Sequence, residues 1–407
     1  MAEDLKIKVG LIGKFDMLKF KNMSKVREQA IQAAPAKEID GEFKINQNAK
    51  ALHPDFIRLK VKDVIDRGTA NAKTFVFAAK DGGALPYFRA GQYLSLKLPI
   101  DGSFVTRSYS LCYSPKKALD GTYAITVRSN PGGFVADKLL ETLKVGDEVT
   151  SSGPQGFFYY EDLRDCPTVI GLAGGSGITP FLSMAEAIRD GVEDFNLTLL
   201  YGSTSEETIL FKDELDKIAA ECPKFKVVHV LSDEEKEGYE HGFITAELIS
   251  KYAPAGEEYS VFLCGSEGMY KFLKPEIEKL GLPERLFRRK LIDVTKKPWE
   301  CVGYPEKARN GMFIGTVKQG AQEWQIRASA NEPILVALER AGIKAPSRCR
   351  AGECGWCRSK LVEGKVFVPN ENEVRRWADM HYGYIHPCCS FPVSDFVLEV
   401  PGEYLDF

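Results

Sequence analysis

The sequence predicts a multidomain protein of the α/β and β classes, in which an antiparallel β-barrel precedes a parallel α/β domain and a small cysteine-bearing domain. Length is the first observation, because 407 residues exceed what one hydrophobic core usually organises. The second is a run of short alternating segments separated by Gly and Pro, which is typical of antiparallel strands. The third is a later alternation of apolar strand runs with helical segments, which indicates βαβ units around a parallel sheet.

The predicted domain boundaries lie where these patterns change. Residues 1–55 form an extension without a chemical motif, in which "LKIKVGLI" predicts a strand and "SKVREQAIQAA" predicts a helix stopped by Pro35. The β-rich segments occupy 56–163, and the alternating strands and helices occupy 164–292. Residues 293–310 contain prolines and lysines without an apolar period and predict a linker. Residues 311–407 start with two strand-like segments and a helix that lead into a cysteine loop.

Composition and charge exclude several classes of partner. A formal net charge of -3 provides no concentrated basic surface, so nucleic acid is not an expected partner. No apolar run approaches the roughly 18–20 residues of a membrane span, and the N-terminus lacks the features of a signal peptide. We therefore expect a cytoplasmic protein, and in that reducing compartment clustered cysteines are more often metal ligands than disulfides.

The stretch "CRAGECGWC" has the spacing of a plant-type [2Fe–2S] site, with Cys349, Cys354 and Cys357 separated by four and then two residues. Glycines between them suit backbone that must approach sulfur closely. A zinc site would more often show paired C-x2-C knuckles, whereas only one such pair exists here. The fourth ligand must come from a distant turn, where Cys388 and Cys389 are the downstream candidates.

At this point the sequence resembles the plant-type ferredoxin family, from "MFIGTVKQG" through the cysteine loop to "CCSFPVSDFVLEV". The resemblance implies a β-grasp-like [2Fe–2S] ferredoxin domain. In that family the last ligand lies four residues before the small or prolyl residue of the closing segment, which implies Cys388 here and leaves Cys389 as a neighbour.

The segments "RSYSLCYS" and "GGFVADKL" of the β-rich region carry candidate residues for binding a flat, phosphate-bearing cofactor. Arg107 and Tyr109 would share one strand face, where a guanidinium can pair with phosphate and a ring can cover a flat cofactor, and Ser110 adds a hydroxyl. Together they resemble the flavin domain of the ferredoxin–NADP reductase superfamily, in which the Arg binds flavin phosphate, the Tyr packs on the isoalloxazine and the Ser addresses its N5. The second motif comprises Gly132, Gly133, Phe134, Val135 and Ala136. Ala136 stands where the family usually has Ser or Thr, which leaves FMN open beside FAD.

The stretch "VIGLAGGSGITPFLSM" runs from an apolar strand through a glycine turn into a helix, an arrangement suited to binding a pyrophosphate. In the same superfamily the pyridine-nucleotide loop matches Gly174, Gly175, Gly177, Thr179 and Pro180. A later segment, "VFLCGSEGM", matches the Cys-Gly motif and implies that Cys264 and Gly265 lie beside the nicotinamide. Asp233 stands where NADP-dependent relatives carry Arg, so NADH is favoured over NADPH.

The order of flavin, nucleotide and cluster motifs resembles reductases of the phthalate dioxygenase reductase and phenylacetyl-CoA epoxidase reductase type. The resemblance implies an NADH-dependent oxidoreductase in which Tyr109, Ser110 and Cys264 place the nicotinamide over the flavin, and the cluster passes single electrons to a protein acceptor such as an oxygenase. Arg348, Arg350 and Arg358 flank the cluster ligands and predict a basic rim for docking an acidic partner. The alternatives are an electron-transfer subunit of a larger flavoenzyme complex, or an activity of the ferredoxin/NADP reductase type.

Overall fold

The computed structural model describes residues 10–34, 43–68, 71–100, 103–129, 134–290 and 294–402. The chain divides into two compact units, Met1–Asn48 and Ala49–Phe407. None of the helices in these described ranges has the length and apolarity that a bilayer crossing requires.

The described residues of the first unit are mostly helical. Helix α1 spans Leu11–Ala33, and α2 spans Lys44–Leu52 across the boundary between the units. The strand predicted in "LKIKVGLI" is therefore wrong at its end, because Leu11 and Ile12 begin the helix, while residues 5–9 lie outside the described part. The predicted end of the helix before Pro35 is confirmed. Ala34 has extended backbone dihedrals, the conformation that a residue before proline favours.

The antiparallel sheet of the second unit forms a nearly closed barrel. Its six strands are β1 (Ile57–Asp66), β2 (Ala72–Ala79), β3 (Tyr93–Ile100), β4 (Ser103–Ser110), β5 (Tyr123–Arg128) and β6 (Glu148–Ser151), in the order β4-β3-β6-β1-β2-β5. A bridge between Leu111 and Ile125 brings the two edge strands together. Alternating apolar side chains, among them Leu59, Phe75 and Leu94, fill the interior. Two short helices accompany the barrel, α3 (Lys116–Leu119) and α4 (Phe134–Thr142).

A parallel six-stranded sheet follows, as the strand and helix alternation predicts. Its strands are β7 (Thr168–Gly174), β8 (Asn196–Ser203), β9 (Phe225–Leu231), β10 (Glu240–His241), β11 (Ser260–Cys264) and β12 (Phe287–Arg289), in the order β10-β9-β8-β7-β11-β12. The helices are α5 (Thr179–Arg189), α6 (Lys212–Glu221), α7 (Ala246–Tyr252) and α8 (Glu267–Lys279). The order places β7 and its glycine turn at the centre of the sheet, where ligands of such folds bind.

The cysteine-bearing region is a mixed sheet with one helix packed beside it, the β-grasp-like arrangement that the resemblance implies. The strands are β13 (Met312–Gln319), β14 (Gln322–Ser329), β15 (Ser359–Glu363), β17 (Tyr384–Ile385) and β19 (Phe396–Glu399), in the order β14-β13-β19-β15-β17. A separate pair is β16 (Val366–Phe367) with β18 (Phe391–Pro392). Helix α9 (Ile334–Arg340) supplies core residues, and α10 (Trp377–His381) precedes β17.

A buried ion pair joins the barrel to the parallel sheet. Arg288 on β12 donates from Nε to Asp165 Oδ1 at 2.7 Å. Its Nη2 lies 2.6 Å from Asp165 Oδ2. Its remaining nitrogen, Nη1, donates to the backbone oxygens of Phe157 and Tyr159 at 3.1 and 2.9 Å. Because one ion pair and three hydrogen bonds hold the guanidinium, this arginine fixes the end of the barrel against the sheet.

The segment after β12 packs against its neighbours. Thr295 donates to Glu267 of α8 at 2.7 Å, and Tyr304 makes an edge contact with Phe367 of β16 at 5.2 Å between ring centroids. The region predicted to be a linker, as far as the structure describes it from residue 294, therefore contacts both the parallel sheet domain and the cysteine-bearing domain.

Candidate functional site

Strand β4 carries the three residues predicted to bind flavin. Arg107 pairs with Leu96 of β3, Tyr109 with Leu94 and Ser110 with Tyr93. Alternation along the strand puts the Arg107 and Tyr109 side chains on one face. Burial raises the pKa of the Tyr109 hydroxyl above its usual range, and nearby Arg107 opposes that rise. The strand thus offers a neutral aromatic ring beside a cation.

The second predicted flavin motif opens helix α4. Phe134, Val135 and Ala136 form its first turn, with Val135 buried against the barrel and Phe134 exposed. Gly132 and Gly133 lie outside the described residues. The first amides of a helix have no intrahelical partner and can bind phosphate, so this end of α4 fits the predicted function.

The predicted nucleotide loop is a tight connection from strand to helix. Gly174 ends β7, residues Gly175–Ile178 form a 3-10 turn, and Thr179 and Pro180 begin α5. Gly175 has a φ of +54°, which favours glycine. At Gly177, an added Cβ would lie 2.6 Å from the Cys264 carbonyl carbon and closer still to its oxygen. The loop therefore packs directly on the Cys-Gly segment.

Cys264 and Gly265 lie at the end of β11, where Cys264 pairs with Ala173 of β7. The thiol is buried, and burial raises its pKa to about 12. It is therefore protonated near neutral pH, which suits a packing or hydrogen-bonding role and not a nucleophilic one. The structure brings the two predicted nucleotide motifs together from separate βα units.

Two cations that no sequence motif predicts lie near these motifs. Arg128, at the end of β5, approaches the nucleotide loop from the barrel, and a Cβ on Gly175 would lie 3.1 Å from its Nη1. Lys290 donates from Nζ to the backbone oxygen of Gly91 at 3.0 Å and lies 4.8 Å from the Tyr93 ring centroid. Burial lowers the pKa of Lys290. Neither position belongs to a local motif, because both act across a domain boundary.

The loop after β8 carries carboxylates at the place where an NADP site would need a cation for the 2′-phosphate. Hydrogen bonds from Lys236 and Tyr239 lower the pKa of Glu206 to about 2. Asp233 donates its amide to the Thr204 oxygen at 3.0 Å, which holds the two loops together. Lys236 therefore lies beside a loop whose own sequence has no cation, and there it forms an ion pair with Glu206.

The four predicted cluster ligands converge. The Cys349 thiol contacts those of Cys354 and Cys388, and Cys388 also contacts Cys357. Backbone amides of Ala351 and Cys354 each donate to Cys349 Sγ at 3.4 Å. Hydrogen bonds from the Cys354 and Cys388 thiols lower the pKa of Cys349, and the same contacts raise the pKa of Cys354 and of Cys388. A thiolate surrounded by donors is the state in which cysteine binds iron.

Cys389 and His386 lie beside this group. Cys389 is fully buried, and its Sγ lies 3.5 Å from the His386 backbone oxygen. His386 is buried too, and its Nδ1 lies 2.7 Å from the Gly352 oxygen, so the ring holds the cysteine loop. The Cys389 thiol also contacts that of Cys388.

The donor set matches the ligands of a dinuclear iron–sulfur cluster. A [2Fe–2S] cluster requires two thiolates at each iron, and four converging thiols with amide donors meet that requirement.

The cysteine loop packs on the strand that carries the flavin residues. Ser108 Oγ donates to the Cys349 oxygen at 3.3 Å, and Thr106 Oγ1 lies 2.6 Å from Ser347 Oγ. These β4 side chains alternate with Arg107 and Tyr109, so they project from the other face of the strand. Tyr93 of β3 joins Cys349 in one buried apolar cluster. One strand therefore links the two predicted redox sites.

Three domain families match the chain in the predicted order. An oxidoreductase FAD-binding domain matches residues 58–160, an oxidoreductase NAD-binding domain matches 172–274, and a 2Fe-2S iron-sulfur cluster binding domain matches 317–393. These matches support FAD, NADH and a [2Fe–2S] cluster as the cofactors, and they favour FAD over FMN.

Curated relatives match most of the chain and nearly all of their own length. The 3-ketosteroid-9-alpha-monooxygenase ferredoxin reductase component of Mycobacterium tuberculosis is 30% identical over 353 residues, which cover 84% of this chain and 94% of the relative. The chain belongs to the family of modular FAD, NAD and [2Fe–2S] reductases. The glycine betaine monooxygenase reductase subunit of Chromohalobacter salexigens is 29% identical over 346 residues, covering 81% and 92%. The solved phthalate dioxygenase reductase is 25% identical with a TM-score of 0.57 and covers 85% of this chain and 98% of that one. The predicted resemblance to this family of modular reductases is confirmed.

Proposed function

We propose that this reductase takes hydride from NADH and delivers single electrons through its cluster to an oxygenase component. When bound, NADH, FAD and the cluster supply two-electron donation, storage of both electrons and one-electron delivery. The main support for this proposal is the hydrogen bond from Ser108 to Cys349, because it joins the flavin strand to the cysteine loop within one chain.

The flavin would be held by β4 and α4. Arg107 would pair with its phosphate, Tyr109 would pack on the ring, and Ser110 would donate to N5. The first-turn amides of α4, from Phe134 to Ala136, would complete the anion site. The shared face of Arg107 and Tyr109 supports this assignment.

The nicotinamide would lie between Cys264 and the flavin strand. Gly174, Gly175 and Gly177 would receive the pyrophosphate with the amides that open α5, and Arg128 would add a cation. The neutral, buried Cys264 thiol would exclude water and orient the ring. The carboxylates of the β8 loop favour a ribose hydroxyl over a 2′-phosphate, which supports NADH.

The cluster would be held by Cys349, Cys354, Cys357 and Cys388, with Cys389 as a neighbour. The mutual contacts of the four thiols support this set. None of the ten cysteines forms a disulfide, which supports a reducing, cytoplasmic location.

The acceptor class rests on two relatives that are named as reductase parts of monooxygenases. An electron-transfer subunit of the dihydroorotate dehydrogenase type would lack strands before the cysteine loop, whereas β13 and β14 are present here. Chain purified alone should therefore turn over with NADH and an artificial acceptor.

Anaerobic titration with NADH tests the proposal. We expect flavin bleaching and the electron paramagnetic resonance signal of a reduced [2Fe–2S] cluster to reach completion together at about 1.5 equivalents, because flavin takes two electrons and the cluster takes one. NADPH serves as the control and should bleach less. Flavin bleaching without the cluster signal, in protein shown to contain iron, would contradict the proposal.

A further inference from the structure

An exposed aromatic patch lies beside the predicted cluster. It consists of Trp377, His381 and Tyr382, with Arg376 at its edge. Trp377 exposes 71% of its surface and Tyr382 exposes 64%. Exposed aromatic residues that lie together are uncommon on a surface that only faces water, and they often mark a binding site.

The patch is ordered by its own contacts. Trp377 and His381 stack with their ring centroids 4.7 Å apart and planes 14° apart, and Tyr382 meets His381 edge-on at 4.9 Å. Asp379, on the inner side, accepts from Arg376 Nε at 3.2 Å. Because these side chains are already fixed, a partner would lose little conformational entropy on binding them.

The patch is connected to a cluster ligand. Arg358 follows Cys357 in the chain and donates from Nη1 to Asp379 Oδ1 at 3.1 Å. This ion pair therefore joins the end of the cysteine loop to α10. A partner seated on Trp377 would thus be connected to Cys357 through Asp379 and Arg358.

Another side of the cysteine loop is already occupied. Cys349 is covered by Ser108 and Tyr93 of the barrel, as described above. An electron that arrives from the flavin on that side must leave elsewhere. The patch offers an exit near Cys357, which lies between Cys354 and Arg358 in the chain.

The charge at the patch is positive toward solvent. The Arg376 side chain is 75% exposed, whereas its partner Asp379 is only 7% exposed. Arg358 is also partly exposed. The other two arginines of the predicted basic rim are engaged inside: Arg350 forms a bidentate pair with Glu339, and Arg348 binds the Asp55 backbone oxygen at 2.6 Å. The prediction that Arg350 belongs to an exposed basic rim is therefore wrong. Arg358 and Arg376 are the cations that are exposed beside α10.

We propose that the Trp377 patch is the docking surface for the electron acceptor, and that the acceptor presents an apolar depression rimmed by Asp and Glu. Trp, Tyr and Arg are the residues that most often carry binding energy at protein interfaces, and complementary charge steers the encounter. This proposal rests on the proposed function, since it assigns the exit for the electrons that NADH supplies.

Two small haem proteins of opposite charge test the surface: acidic cytochrome b5 and basic cytochrome c. For Arg376→Glu, we expect kcat/KM with cytochrome b5 to fall by at least about fivefold and that with cytochrome c to rise. Salt should slow the wild type with cytochrome b5 more steeply than the variant. For Trp377→Ala, we expect a loss of at least about fivefold with cytochrome b5, which corresponds to about 1 kcal/mol.

Controls separate this proposal from the proposed function. Ferricyanide reduction and the cluster signal should stay unchanged in both variants, which also shows that they fold. The matched control Arg327→Glu reverses an exposed charge on β14, at the opposite edge of the same sheet, and should leave both cytochrome rates unchanged. A wild type whose cluster NADH cannot reduce would contradict the proposed function instead.

Several results would overturn the docking proposal itself. One is an unchanged ratio of the two cytochrome rates in Arg376→Glu with an intact cluster. Another is an equal effect of Arg327→Glu. A third is a change of oligomeric state in Trp377→Ala at unchanged cytochrome rates, which would make the patch an interface between copies of this chain.

Discussion

Replacing Gly177 with alanine should separate the nucleotide loop from the Cys264 segment. The added Cβ would lie 2.6 Å from the Cys264 carbonyl carbon and 2.9 Å from Gly265 Cα. Favourable contacts between carbon atoms start at about 3.5 Å, so the loop must retreat by about 1 Å. Both neighbours are backbone atoms in or beside β11, which cannot rotate away as a side chain could. A displacement of this size at a reacting centre typically lowers the rate by about a hundredfold.

The measurement is the rate of flavin bleaching after rapid mixing with NADH. We expect about a hundredfold decrease for Gly177→Ala, while dithionite still reduces flavin and cluster fully. Gly202→Ala is the matched control at the end of neighbouring β8, since its added Cβ would meet nothing closer than 3.6 Å. A wild-type bleaching rate in Gly177→Ala, or an equal loss in Gly202→Ala, would refute the reasoning.

Three further predictions concern the cluster, the cofactor and the domain joint. Cys388→Ser should lose the [2Fe–2S] signal and Cys389→Ser should keep it, as checked by iron content and electron paramagnetic resonance; the reverse pattern would move the fourth ligand to Cys389. Asp233→Arg should raise kcat/KM with NADPH relative to NADH by about tenfold, because a cation would face the 2′-phosphate; an unchanged ratio would place the ribose elsewhere. Arg288→Met should lower the free energy of unfolding by about 3–5 kcal/mol in a denaturant titration, because it strands the Asp165 charge. As a control, Arg285→Met breaks a surface ion pair with Glu258 and should lower the free energy of unfolding by less than about 1 kcal/mol. Equal losses in the two variants would contradict this prediction.

The fold could be predicted from sequence where local pattern and packing agree. Alternation in "FIRLKVKDVI" becomes β1, and the change to strand and helix alternation becomes the parallel sheet. The N-terminal prediction failed in part: "LKIKVGLI" contains apolar residues that suit either a strand or a helix, and Leu11 continues into a 23-residue helix.

The predicted site residues are brought together by contacts that no local motif contains. The spacing of Cys349, Cys354 and Cys357 is local, so sequence could indicate it. The approach of Arg128 to Gly175 and of Ser108 to Cys349 joins residues from different domains, and a single sequence carries no signal for such pairs. The same limit explains Arg350, whose exposed appearance in a charged loop gives no hint of Glu339 on α9.

The central claim is that electrons pass from flavin to cluster inside one chain. The most direct measurement is an anaerobic rapid-mixing experiment with NADH held at one saturating concentration, in which the rise of the reduced-cluster signal is timed at two protein concentrations ten times apart. Since the Ser108 contact holds the cysteine loop on the flavin strand, we predict the same first-order rate at both concentrations. A rate that increases in proportion to protein concentration would show transfer between molecules and would contradict the claim.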